Sequence, residues 1–308
     1  MKQYDIHLDF LKQSNVDLPM NAAVLSLLNF TLKGMTKRVK LPQGIVEKTF
    51  KIKGHNDAKV DIAVYEPLAA DAPLPCLVYF HGGGFSMKAA PHHKALACQY
   101  ALQVPCKVIM ADYRLLPKYR FPVALEDAYA AYAWVLQHAE AFGIDPARIA
   151  VGGDSAGGAL AAAVPLMAKD RCAALPCFQM LIYPITDRRQ TSGSMQEFDD
   201  TPFWDSKKNA EMWKIYLKNG FGDKIEYASP AQAPSLKGMP PAYLEVAEYD
   251  CLRDEGIAFA KSLQAEGVPT ELHETKRTVH GFDMEMENEI VTECLERRIM
   301  ALQAVFKP

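Results

Sequence analysis

Apolar and polar positions alternate along 49–54 (TFKIKG) and again along 59–67 (KVDIAVYEP), with the turn formers His55, Asn56 and Asp57 between them. A period of two on either side of a short polar break predicts a β-hairpin. The pattern then changes to unbroken apolar runs at 75–80 (PCLVYF) and 107–113 (KVIMADY). Such runs suit strands covered on both faces, as in a parallel sheet. Further strands are expected at 148–151, 177–184, 241–248 and 270–275. Helical periodicity appears over 122–143, which opens at Pro122, is rich in alanine and stops at Gly143. Other helices are expected directly after the 148–151 strand, over 254–266 and over 283–306. Strands alternating with helices predict an α/β chain with a mostly parallel eight-stranded sheet flanked by helices.

Two stretches stand outside that alternation. Residues 1–47 carry few strand signals, and Val24, Leu27 and Leu28 fall on one helical face, so they read as an N-terminal cap or arm on a domain spanning 48–308. Over 188–228 the strand signal lapses again, and polar linkers surround Phe203, Trp204, Trp213 and Tyr216. An insertion there lies above the ends of parallel strands and is expected to form a helical cap. Its aromatics are candidates for lining a pocket, although such clusters more often form core.

Composition narrows the functional classes. The 308 residues are 49% apolar, enough for one large core, and the net charge of −3 comes from interspersed charges with no basic stripe, which argues against a nucleic-acid partner. The N-terminus lacks the apolar run of a signal peptide, and no stretch reaches the roughly 18 apolar residues of a membrane span. A cytoplasmic chain without stable membrane insertion is expected. Seven cysteines, an odd number set mostly in apolar surroundings, read as small buried thiols and not as a disulfide framework. Cys172 and Cys177 have no second ligand pair, so no metal site is expected.

The candidate chemistry begins at Gly153-Asp154-Ser155-Ala156-Gly157, the pattern G-x-S-x-G between an expected strand and an expected helix. A serine on such an elbow sits in strained backbone that bulky neighbours would obstruct, which explains the glycines. The helix that follows presents the Ala156 amide to negative charge developing on a substrate. Upstream, His81 precedes Gly82, Gly83 and Gly84; a run of glycines costs entropy unless backbone amides must approach something closely, and an oxyanion is such a need. His81 itself reads as ordering this loop. A serine needs a base. His7, His55, His92, His93 and His138 follow no late strand and His273 lies within one, whereas His280 stands on a loop just past it, before Gly281. The orienting carboxylate belongs after 241–248, where Asp250 is preferred, Glu248 is held in reserve, and Asp254 is explained as a charge in a helix's first turn.

Taken in order, His81-Gly82-Gly83-Gly84, Asp112-Tyr113-Arg114-Leu115, Gly153 to Gly158, Tyr183-Pro184 with Asp187, Glu248 to Gly256 and His280-Gly281-Phe282 resemble the hormone-sensitive-lipase-like carboxylesterases, the bacterial family IV type. The resemblance spans roughly Val60 to Phe306. It implies an α/β-hydrolase fold with a helical cap, hydrolysis of small-molecule esters of short to medium acyl chain, and no cofactor. It also implies oxyanion donors at Gly82 or Gly83, with Gly84 as a further candidate, and at Ala156. Phe85, Asp154, Phe203, Trp204 and Trp213 are the candidate substrate contacts, and relatives that pair through late edge strands make a homodimer an expectation to test. Leu116 and Lys118 depart from the family's usual Ala and Glu, and Cys251 stands where proline is common. Two other readings are a binding protein on the same fold, against which His280 counts, and an amidase.

Overall fold

The computed structural model describes residues 4–12, 21–68 and 73–307, so the rest of the expected arm over 1–47 lies outside the described residues. Strand β1 (Ile45–Lys53) and β2 (Lys59–Pro67) form the expected hairpin, starting four residues earlier than the alternation suggested. Six further strands follow: β3 (Leu74–Phe80), β4 (Lys107–Ala111), β5 (Ile144–Asp154), β6 (Gln179–Ile182), β7 (Ala242–Tyr249) and β8 (Thr270–Val279). They make one sheet in the order β1-β2-β4-β3-β5-β6-β7-β8, antiparallel through β1, β2 and β4 and parallel from there on. β5 is far longer than the four residues its apolar run suggested, because buried Ile144 and the partly or fully exposed Asp145 to Arg148 lead into its buried stretch. β8 likewise runs past 275 to Val279, which brings His280 to the strand's very end.

Eight α-helices complete the described chain: α1 (Ala22–Arg38), α2 (Pro91–Gln103), α3 (Val123–His138), α4 (Ala156–Asp170), α5 (Gly193–Glu197), α6 (Ser206–Tyr216), α7 (Arg253–Ala265) and α8 (Glu289–Val305). The central strands bury alternate residues on opposite faces. Cys76, Val78 and Phe80 of β3 join the core under α3, α4, α6 and α7, while Leu77 and Tyr79 join a second core under α2, α8 and the segment around Ile6 and Phe10. That two-sided burial is why β3 reads as an unbroken apolar run. In α4 every residue from Ala156 to Ala168 is buried, and its alanines and glycines let the helix approach the sheet closely.

Helix α2 is absent from the hydrophobic pattern because its buried positions include His93 and Lys94; the Lys94 ammonium is matched by Glu47 at 2.7 Å. In α1 the inward residues are Leu25, Leu28, Asn29 and Leu32; of the three residues expected on one helical face, Leu28 borders a cavity while Val24 and Leu27 are exposed. Three hydrogen bonds stitch α1 to the loop after the glycine cluster: Asn29 Nδ2 donates to the Ser86 carbonyl at 2.9 Å, the Lys88 amide to Asn29 Oδ1 at 2.8 Å, and Thr36 Oγ1 to the Ala89 carbonyl at 2.8 Å. The 188–228 segment supplies α5 and α6, and no described helix is long and apolar enough to cross a membrane. Of the seven cysteines, Cys76, Cys98, Cys106, Cys251 and Cys294 are buried thiols as expected, whereas Cys177 is only partly buried and Cys172 is exposed at the end of α4.

Candidate active site

Ser155 stands between β5 and α4 with φ 54° and ψ −118°, a left-handed backbone for a residue with a side chain. The packing around it accounts for the glycines. A Cβ on Gly157 would lie 1.9 Å from the Phe80 carbonyl oxygen, and one on Gly153 would lie 2.4 Å from that of Gly157. Forced into this turn, Ser155 Oγ lies 2.8 Å from His280 Nε2. The other ring nitrogen, Nδ1, lies 2.7 Å from Asp250 Oδ2, and Asp250 Oδ1 accepts the Leu252 amide at 2.9 Å. Asp250 and His280 are buried, so this pair operates away from bulk water, where charge interactions are stronger. Glu248, the reserve carboxylate, turns away and accepts the Arg277 amide at 2.7 Å, while Asp254 accepts the Ser194 amide at 2.7 Å and ties α5 to α7.

The ring of His280 is held from several sides. Tyr183 meets it edge-on at 4.8 Å, and Phe203 stacks at 6.4 Å between centroids. Behind its loop, Asp283 accepts from Tyr183 Oη and pairs with Arg298 at 2.8 Å; Arg298, buried in α8, also pairs with Glu245 of β7.

The glycine cluster lies beside Ser155. Gly83 (φ 113°) and Gly84 (φ 57°) adopt backbone that side chains disfavour, and a Cβ on Gly82 would fall 2.1 Å from Asp154 Oδ2. The Gly82 amide lies 3.3 Å from His93 Nε2. Ala156 opens α4, so its N–H has no acceptor within the helix. Gly82, Gly83 and Gly84 all border the cavity over Ser155, and the Ala156 amide stands beside it at the start of α4.

Nothing in the sequence singles out His93, which follows no late strand. Its Nδ1 accepts the Ala90 amide at 2.9 Å and its Nε2 lies 3.1 Å from Asp154 Oδ2, while Tyr79 Oη donates to Asp154 Oδ1 at 2.9 Å. Burial alone would raise the Asp154 carboxyl, but the His93 and Tyr79 partners hold it well below the usual carboxylate range. Asp154 is thus a buried anion bracing the glycine loop against the elbow. Burial pushes the imidazole of His81 down to about 4, which suits a neutral ring that donates from Nδ1 to the Gly82 carbonyl and stacks on Tyr113.

A cavity of about 220 Å³ opens over Ser155 and His280, walled by Leu28 and Leu32 of α1, Met87, Phe203, Trp204 and Met284. Of the candidate substrate contacts, Phe203, Trp204 and Asp154 border it. Phe85 and Trp213 do not: Phe85 stacks on Tyr216 at 4.1 Å and Trp213 packs beside that tyrosine in the core. An aromatic in sequence does not by itself separate core from pocket; its neighbours in the fold do.

Residues 77–284 match a family model described as the alpha/beta hydrolase fold. Among curated proteins, the chain is 41% identical to esterase LipI of Mycobacterium tuberculosis over 68% of its own length and 66% of that protein's. It is 36% identical to carboxylesterase NlhH of the same species over 77% of this chain and 75% of the relative. Among solved structures, a bacterial heroin esterase superposes with a TM-score of 0.87 at 33% identity, covering 96% of this chain and 94% of that one.

Proposed function

Because this chain belongs to the alpha/beta hydrolase fold family, in its hormone-sensitive-lipase-like carboxylesterase group, we propose that it hydrolyses carboxylic esters of short to medium acyl chain through Ser155, His280 and Asp250. The observation that carries the proposal is the unbroken line of short contacts from Asp250 through His280 to Ser155 Oγ. His280 Nε2 removes the hydroxyl proton as Ser155 Oγ attacks the ester carbonyl carbon. The tetrahedral oxyanion is received by the amides of Gly83, Gly84 and Ala156, and each such donor contributes about 3 kcal/mol to the transition state. His280, now cationic and steadied by Asp250, returns the proton to the leaving alkoxide, and an acyl-enzyme remains. Water deprotonated by the same imidazole then releases the acid.

The apolar wall from Leu28, Leu32, Phe203 and Trp204 suits an acyl chain, and α1 with the 188–228 insertion acts as the cap that keeps bulk water out. The test is the hydrolysis rate across p-nitrophenyl esters from acetate to palmitate, for the wild type beside Ser155→Ala. A maximum at short or medium chains, with a burst of p-nitrophenol stoichiometric with enzyme when deacylation limits, is expected; Ser155→Ala should lose about 10⁴-fold or more. Turnover retained by that variant, or a matched anilide cleaved faster than its ester, would overturn the assignment.

A further inference from the structure

Helix α1 presents to solvent a face that neither the cavity nor the core explains. Phe30 is 79% exposed and Leu27 69%, side by side on the surface opposite Leu25 and Leu32. Lys33, Lys37 and Arg38 follow on the same helix and Lys40 just after it, while no Asp or Glu occurs between Asp17 and Glu47. In a chain of net charge −3 this is a local concentration of positive charge. Lys33 and Lys37 border a cavity between the helix and the sheet whose acids Glu47, Asp61 and Asp112 are already paired with Lys94, Lys51 and Lys88. Among the described residues, none of the four cations of α1 and its end stands in an ion pair.

We propose that α1 docks the protein on an anionic lipid surface, with Leu27 and Phe30 entering the headgroup boundary and Lys37, Arg38 and Lys40 meeting the lipid charges. An apolar tip flanked by cations and lacking acids is the chemistry that binds such an interface in its plane. A second copy of the chain fits poorly, because a twofold contact through this face would set the same cations against one another. The opposite face of α1 supplies Leu28 and Leu32 to the cavity over Ser155, and its stitches to Ser86, Lys88 and Ala89 tie it to the loop after the glycines. Docking would therefore set the cavity beside the membrane, where esters partition.

The experiment is flotation of the full-length protein with vesicles of phosphatidylcholine alone and of phosphatidylcholine with phosphatidylserine. Binding to the phosphatidylserine vesicles is expected to fall about tenfold or more in Leu27→Ser/Phe30→Ser. Each cation removed in Lys37→Gln and Arg38→Gln should cost about fivefold, and added salt should weaken binding further. Unchanged p-nitrophenyl acetate turnover in the Leu27→Ser/Phe30→Ser variant would show that it has folded, independently of where it binds. No flotation of the wild type, or flotation indifferent to phosphatidylserine and to these substitutions, overturns the proposal. So does a wild-type dimer in light scattering that Leu27→Ser/Phe30→Ser converts to monomer without any vesicle binding.

Discussion

At the residue scale, Asp250 and Gly82 give the sharpest expectations. Asp250→Asn keeps the shape but removes the carboxylate that selects the His280 tautomer, and kcat should drop about 10⁴-fold while the melting temperature changes little. Gly82→Ala places a methyl group 2.1 Å from Asp154 Oδ2, which must displace the carboxylate or the loop. It should lower kcat far more than it raises KM, since the amides it disturbs serve the transition state; an unchanged kcat would show that Gly82 is replaceable. That Ser155, Asp250 and His280 meet was legible because each sits where chain order and strand ends dictate. His93 was not, because its partners Ala90 and Asp154 are joined to it only by folding, and a histidine beside another histidine and a lysine looks like surface.

At the scale of elements, the β5–α4 elbow is where sequence and backbone agree most closely. Gly157→Ala brings a methyl group onto the Phe80 carbonyl, an overlap that only backbone movement can relieve. A loss of about 3 kcal/mol in urea unfolding is expected, with activity falling in parallel. The parallel strands were legible from their apolar runs and the hairpin from its alternation. Helix α2 escaped notice because Lys94 is buried against Glu47, a pairing between residues 47 apart in the chain. The inner side of α1 was not legible for a related reason. A helix that packs through Leu25, Leu28 and Leu32 and also exposes Leu27 and Phe30 carries leucines on both sides of its first turns, so periodicity alone does not choose its inner side.

For the whole molecule, two buried ionisable groups shape stability. Arg298 joins Glu245 of β7 to Asp283 of the His280 loop, so Arg298→Met leaves both carboxylates buried without their cation. Urea unfolding should show a loss of about 3–5 kcal/mol. Glu255 of α7 is the second: burial raises its carboxyl to about 8, although it accepts the amides of Thr186 and Asp187. Across the pH range between the ordinary glutamate value and 8, the folded protein keeps a proton that the unfolded chain has released. Stability should therefore decline as pH rises through that window and level off above it. Glu255→Gln, unable to ionise, should flatten the decline in thermal melts from pH 5 to pH 8; a slope identical to wild type would contradict this. The three tryptophans also divide the molecule usefully. Trp134 stacks on His138, Trp213 lies in the core, and Trp204 alone borders the cavity, with a buried indole N–H that has no hydrogen-bond partner among the described residues. Any molecule that fills the cavity alters the surroundings of one fluorophore while two stay constant. Emission spectra of the Ser155→Ala protein thus offer a label-free titration of ligands, and Trp204→Phe supplies the blank.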